Sequence, residues 1–358
     1  MMRFLLILVG ISLCSCNYSV DTPKINRPFV TAEIASLYND SSSIRAVEVT
    51  DNEVMYAGSN GFYGFLNFDS SKTTVDTIIA KNSGHIDFMG TNPSFRALGS
   101  TDKSFFILSI GQPALLYQID KWSKEISLVY KEDTEGVFYD ALTFWNDQEG
   151  IAIGDPTDDC ISILITRDGG SSWNKVDCTK LPKFIEGEAA FAASDTNIKT
   201  IGDATWIATG GIASRIFYSG DKGKSWVAFD TPIVQGTTTQ GVYSMDFYDK
   251  DRGIIYGGDY TIPKNNYANI ATTTDGGQSW NLIASGANDG YKSCVQYVPN
   301  SDGRGIVALG FTGISYSSDS GNNWVKLSDE PFLSFRFKND SIAYATGSNK
   351  IARIRFKY

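Results

Sequence analysis

Residues 166–173 read Thr-Arg-Asp-Gly-Gly-Ser-Ser-Trp, and the pattern returns three times. Residues 219–226 are Ser-Gly-Asp-Lys-Gly-Lys-Ser-Trp, residues 273–280 are Thr-Thr-Asp-Gly-Gly-Gln-Ser-Trp, and residues 317–324 are Ser-Ser-Asp-Ser-Gly-Asn-Asn-Trp. All four fit Ser/Thr-x-Asp-x-Gly-x-x-Trp. The hydroxyl and carboxylate oxygens can accept backbone N–H groups across a tight turn. The glycine supplies a positive φ that other residues adopt only at a cost. The tryptophan then opens the next strand and offers a large ring for packing between sheets. The pattern therefore predicts a repeated β-hairpin. Asp168, Asp221, Asp275 and Asp319 read as turn staples, because turn chemistry is expected at every repeat and catalysis is not. Trp173, Trp226, Trp280 and Trp324 read as their packing partners.

The tryptophans are spaced by 53, 54 and 44 residues, the length of one four-stranded unit with loops. A second signal supports this spacing. Apolar runs ending in glycine occur at 54–58, 105–111, 151–154, 206–210, 254–257, 306–310 and 342–347, which gives seven units. The first two units keep only a strand–Asp–turn–strand shape, around Asp69 and Asp120. The last supplies three strands, at 332–339, 341–346 and 350–356, and an apolar-alternating run at 29–35 can supply the fourth. These boxes resemble the Asp-box of sialidase-type and related β-propellers. The expected fold is an all-β, seven-bladed β-propeller over residues 28–358, closed by an N-terminal strand in the last blade. Closure leaves only short, protected strand edges.

The chain opens with a targeting pattern. Arg3 precedes a short apolar run, 4–13, too short to span a bilayer. The run ends in Leu13-Cys14-Ser15-Cys16, which resembles the lipobox of bacterial lipoproteins. That resemblance makes 1–16 a lipoprotein signal segment cut after Ser15, with Cys16 as the lipidated residue. The polar stretch 17–27 reads as a tether. The expected location is the bacterial cell envelope, periplasmic or outer-surface, with the membrane contacted through the Cys16 lipid.

A net charge of −9 with no Lys/Arg-rich run argues against a nucleic-acid partner. Five cysteines are present. Cys160 and Cys178 flank the first box symmetrically; they can form a cross-strand disulfide or remain buried thiols. No Cys-x-x-Cys occurs and His85 is the only histidine, which argues against a zinc site or a His-based triad. No metal and no cofactor are expected.

In such a repeat, with strands A to D running outward, the boxes occupy C–D turns. The B–C and D–A loops meet at the opposite face, where a site is expected. Candidate ligand-binding residues there are Arg45, Arg96 and Asp140 near the starts of A strands, Asp155 and Asp259 with Tyr260 on B–C loops, Glu188 on a D–A connection, and Lys292. This mixed ring suits hydrogen bonding to a polar ligand, either a protein or a glycan. The stretches 42–47 with 56–61, 187–194 with 209–211, and 257–260 together resemble exported bacterial Asp-box propellers related to photosystem II assembly factors. That resemblance implies a protein-binding role, although the arginine-rich patch of the assembly factors is largely missing, with only Arg45 and Arg96 at comparable positions. Sialidases need three arginines; Arg45, Arg96 and Arg215 form only a loose set, and Phe95-Arg96-Ala97-Leu98 departs from the Phe-Arg-Ile-Pro motif. The expectation is a membrane-anchored recognition or scaffold propeller. The alternatives are a glycosidase using carboxylates among Asp155, Glu188 and Asp259, or a purely structural assembly factor. No catalytic residue is assigned.

Overall fold

The computed structural model describes residues 28–69, 78–157 and 159–358. The signal segment 1–16, Cys16 and the tether 17–27 lie outside the described residues, as does most of the degenerate turn after Asp69. The described chain is all-β, with one three-residue 3-10 turn at Cys178–Lys180. No described helix is long and apolar enough to cross a membrane.

The strands join antiparallel into six sheets. One four-stranded meander holds Ser94–Ser100, Ser104–Ile110, Ala114–Asp120 and Ile126–Glu132. The next holds Tyr139–Phe144, Gly150–Gly154, Ser162–Thr166 and Asn174–Lys175. A third holds Ile198–Ile201, Ala204–Ala208, Arg215–Ser219 and Val227–Asp230. A fourth holds Cys294–Tyr297, Ile306–Gly310, Gly313–Ser317 and Val325–Ser328. A further meander, Gln240–Phe247, Gly253–Asp259, Ile270–Thr273 and Asn281–Leu282, is extended at its inner edge by Gly210–Gly211 and Glu188–Ala189.

The remaining sheet has two long strands, Thr31–Val49 and Ile342–Lys357, each with two partners. Residues 343–346 pair with Ser334–Phe337. Residues 348–357 pair with 31–43, so that Thr31 stands opposite Lys357. Residues 44–49 then pair with Glu53–Gly58, which continues into Phe62–Phe68 and Ile78–His85.

Second and third strands such as Gly150–Gly154 and Ser162–Thr166 are buried along their whole length, because each sheet is covered on both faces. Fourth strands such as Val227–Asp230 are half-buried or exposed. The core is a series of apolar layers, each between two consecutive sheets. Phe106 and Leu108 meet Leu142, Ala152 and Trp173 in one such layer. Tyr344 and Ile351 meet Ile44, Tyr56 and Phe62 in another, which packs the last strands on the first.

Each box tryptophan belongs to one of these layers, and each box aspartate is a staple. Thr166 Oγ donates to Asp168 Oδ1 at 2.8 Å and accepts from Gly170 N at 2.9 Å. Ser172 donates to Asp168 through its backbone N–H at 2.9 Å and its hydroxyl at 2.6 Å. Trp173 Nε1 closes the turn on the Gly170 carbonyl at 3.1 Å. The other three boxes repeat these bonds, with the Asn323 side-chain amide in place of the serine hydroxyl in the last. Bonding to the serine hydroxyl and amide holds Asp275 down at about 2, and Asp221 sits at about 2 for the same reason. Gly170, at φ 88°, sits against Phe106 of the preceding sheet, so the turn is also a docking point between sheets.

Cys160 and Cys178 are disulfide-bonded with Cα atoms 5.5 Å apart. They lie just beyond the paired residues of the first box hairpin, whose last ladder bond runs from Val176 N to Ile163 O. Cys294 is a buried free thiol.

Candidate functional site

The centre of the molecule is occupied by a segment whose position the sequence did not reveal. The first strand of the third meander begins only at Ile198. The residues before it, 190–197, carry no regular structure and run among the inner strands of the other units. Ser194 Oγ donates to the Ser293 carbonyl at 2.5 Å, and Ser334 Oγ donates to the Ser194 carbonyl at 2.8 Å. Asp195, at φ 58°, accepts the backbone N–H groups of Leu98 and Leu142, each at 2.9 Å. Arg336 reaches the Asp195 carbonyl at 2.8 Å. Burial pushes the Asp195 carboxyl up to about 8, against the pull of Arg336 and the two amides. The run Ala189-Ala190-Phe191-Ala192-Ala193-Ser194 explains how this is possible: small side chains let the backbone approach several inner strands at once.

On one side of this segment opens a cavity of about 480 Å³. Its floor is the backbone of Ala189–Ala193, and its wall is aromatic. Phe191 stacks on Tyr243 with centroids 4.1 Å apart, Tyr291 meets Tyr243 edge-on at 4.8 Å, and Phe311 stacks on Tyr291 at 4.9 Å. Tyr260, 47% exposed, stands edge-on to Tyr243 at the rim. Arg45 and Arg96 line the same cavity. Arg96 Nη1 donates to the Ala192 carbonyl at 3.1 Å, and Arg45 Nη1 reaches the Ala193 carbonyl at 3.5 Å. Arg45 Nε is buried without a hydrogen-bond partner. Among the described residues neither guanidinium makes an ion pair. Burial, and then the charge of Arg45, lower Arg96 to about 10.

Asp155 lines the same cavity and accepts the Ala190 N–H at 2.9 Å. Burial raises its carboxyl to about 6. Asp140 is fully buried, and neither of its oxygens has a hydrogen-bond partner. Burial first, and then Asp155, hold it well above the usual carboxylate range.

The structure thus gathers Arg45, Arg96, Asp155 and Tyr260 at one cavity and removes the other candidates from it. Glu188 is tied up by Arg215, with Nη2 to Oε2 at 2.5 Å, and by Thr209 Oγ at 2.5 Å; it borders a separate cavity with Phe184 and Ile185. That pair also takes Arg215 away from Arg45 and Arg96. Asp259 caps its own turn, accepting Thr261 N at 2.9 Å and Thr261 Oγ at 2.6 Å, which lowers its carboxyl. Lys292 is completely buried: its ammonium donates to the Gly313 carbonyl at 3.1 Å, and burial lowers it to about 8. Asp155, Glu188 and Asp259 therefore do not converge on one sugar-sized pocket. Among the described residues no three His, Cys, Asp or Glu side chains form a group that could hold a metal ion. On the other side of the central segment lies a smaller polar cavity of about 230 Å³, with Glu48, Asp195, Lys199, Asp246 and Arg336.

Comparison with known proteins supports the architecture. A family model described as Sortilin-Vps10, "Sortilin, neurotensin receptor 3", matches residues 161–310. No curated protein matches the sequence. Among solved structures, YCF48 bound to D1 peptide is similar at a TM-score of 0.60 and 12% identity, covering 92% of this chain and 97% of the other. YCF48 from Cyanidioschyzon merolae gives 0.61 and 12%, with coverage of 91% and 98%. The WD40 repeats of RRP9 give 0.60 and 10%, again covering 91% and 98%. The fold is a β-propeller.

Proposed function

We propose that this propeller is a protein-binding scaffold whose aromatic cavity takes a polypeptide segment carrying an acidic group. The observation that carries the proposal is the pair of guanidiniums, Arg45 and Arg96, held side by side in a half-buried, aromatic-lined cavity with only backbone carbonyls as partners. Among the described residues neither guanidinium is ion-paired and each keeps donors unused, although Asp155 shares the cavity, and arginine forks recognise a carboxylate with directional bonds. The tyrosine wall supplies rigid amphipathic contact area beside them. The similar YCF48 structure holds a peptide, which is consistent with this use of the fold.

In this reading the six sheets make seven blades. The sheet with two long strands divides into a first blade, 44–85, and a last blade in which residues 31–38 add the outer strand. The pairing of Thr31 with Lys357 supports that closure. The propeller domain spans 28–358, and residues 1–16 and Cys16 supply export and a lipid anchor at the cell envelope. Incorporation of labelled palmitate, lost in Cys16→Ser, is the test of the anchor.

The binding proposal is tested by selecting a random peptide library on the purified domain. Enriched peptides should carry Asp, Glu or a free C-terminus next to an apolar residue. Arg96→Ala should weaken them by roughly 10–100-fold, the value of a lost charge-assisted bond pair. Peptides that bind without acidic groups, or equally to Arg96→Ala, would count against it.

A further inference from the structure

The face opposite the aromatic cavity carries the A–B and C–D turns, and one of these turns departs from the Asp-box pattern. In the meander of Ala114–Asp120 and Ile126–Glu132, the connection is short. Asp120 Oδ1 accepts Trp122 N at 2.9 Å, Ser123 N at 2.7 Å and Ser123 Oγ at 3.0 Å. These bonds fix the backbone and put Trp122 at the tip, 88% exposed. The box tryptophans, by contrast, pack between sheets. A large ring on a rigid turn, left in water, is a platform without an occupant.

The platform borders a dish of about 430 Å³ between the first and second units. Asp51, Asn52, Asn67 and Asp102 line the dish together with the indole. Its two lysines are already engaged. Lys124 pairs with Glu53 at 3.0 Å, and Lys121 donates to the Thr101 carbonyl at 2.5 Å. Asp51 is fully exposed, with Lys338 3.8 Å away.

We propose that this dish binds a neutral glycan, with one pyranose ring stacked by its C–H face on Trp122 and its hydroxyls bonded by the surrounding amides and carboxylates. A hydroxyl both donates and accepts, so it matches a rim of mixed amide and carboxylate groups. The face of the indole carries negative charge density, which suits the weakly positive C–H bonds of a sugar. The chemistry disfavours other occupants. An apolar protein patch would strip water from Asp51 and Asp102 without giving them partners. A nucleic acid or an acidic glycan would meet Asp51, Glu53 and Asp102 against two lysines, one of them already paired with Glu53. The site lies on the face opposite the arginine cavity and does not depend on it.

The test uses the purified chain and neutral chito-, cello-, xylo-, malto- and manno-oligosaccharides as probes, read by saturation-transfer NMR and calorimetric titration. At least one series should bind. Trp122→Ala should weaken it about tenfold or more, Asn67→Ala should weaken it less, and Arg96→Ala should leave it unchanged. Trp122→Ala should keep the wild-type melting temperature, since its side chain is not in a core layer, whereas Asn67→Ala also removes a 3.2 Å bond to the buried Glu53 and is read against its own melting temperature. If no series binds, or if binding survives Trp122→Ala, the proposal is wrong. Concentration-dependent self-association that disappears in Trp122→Ala, without sugar binding, would likewise overturn it and make the platform a protein contact.

Discussion

Replacing Asp195 by alanine tests whether the central segment holds the sheets together. The carboxylate is buried and accepts backbone N–H groups from two different sheets, Leu98 and Leu142, at 2.9 Å each. Removing it leaves two buried donors without partners, at about 1–3 kcal/mol apiece. It also leaves Arg336, 3.6 Å away, without its nearest carboxylate. Against this stands the cost of burying the acid, which is why its carboxyl is pushed up to about 8. The orphaned amides outweigh that cost, although both border the smaller polar cavity, where water takes up part of the loss. The two amides together set the scale of the loss, roughly 2–6 kcal/mol before that offset. Over a domain of ~330 residues the unfolding entropy converts this into a fall of about 3–9 °C in melting temperature. Scanning calorimetry reads it directly. Asp195→Asn should recover less than half, since one amide oxygen can serve only one side while its NH2 opposes the other donor. A melting temperature for Asp195→Ala within a degree of wild type would refute the idea that this carboxylate staples the inner strands.

Other outcomes follow from the same geometry. Gly170→Ala would place a Cβ 2.3 Å from the Phe106 ring at φ 88°, and should cost about 2–5 kcal/mol in urea denaturation; Gly136→Ala, also at positive φ but in open space, should cost only the backbone strain, about 1 kcal/mol. Reducing Cys160–Cys178, or replacing both by serine, should lower stability by about 3 kcal/mol, since the bond closes a loop of 18 residues; unchanged calorimetry with and without reductant would contradict this. An acidic peptide should bind the arginine cavity more tightly as pH falls from 7 to 5. Asp155, raised to about 6, takes up a proton in that window and removes a negative charge from the cavity, while most carboxylates of the peptide stay ionised. Titration at both pH values checks this, and Asp155→Asn should abolish the difference.

The sequence disclosed what is decided locally. A box turn is settled by eight residues in a row, so the staples at Asp168, Asp221, Asp275 and Asp319 were legible, as were the buried second strands. What depended on distant neighbours was not. Lys292 reads as an exposed cation at a strand start, yet the Gly313 turn covers it. Glu188 reads as a free loop carboxylate, but its partner Arg215 is 27 residues further on, across the Gly210–Gly211 bridge. The alanine run before Asp195 was visible as composition. Only the assembled inner strands reveal that its small side chains serve close approach at the centre.

The pairing of Thr31 with Lys357 also sets the order in which the molecule can be built. Contacts between strands adjacent in sequence can form as the chain is made, but this pair must wait for residues more than three hundred positions further on. Bringing together segments more than three hundred positions apart carries the largest loop-closure cost in the chain. Until that happens, Thr31–Val49 presents an open strand edge able to pair with another molecule. Refolding should therefore show a late, concentration-sensitive step, and C-terminal shortening should favour tangled oligomers over a smaller folded product.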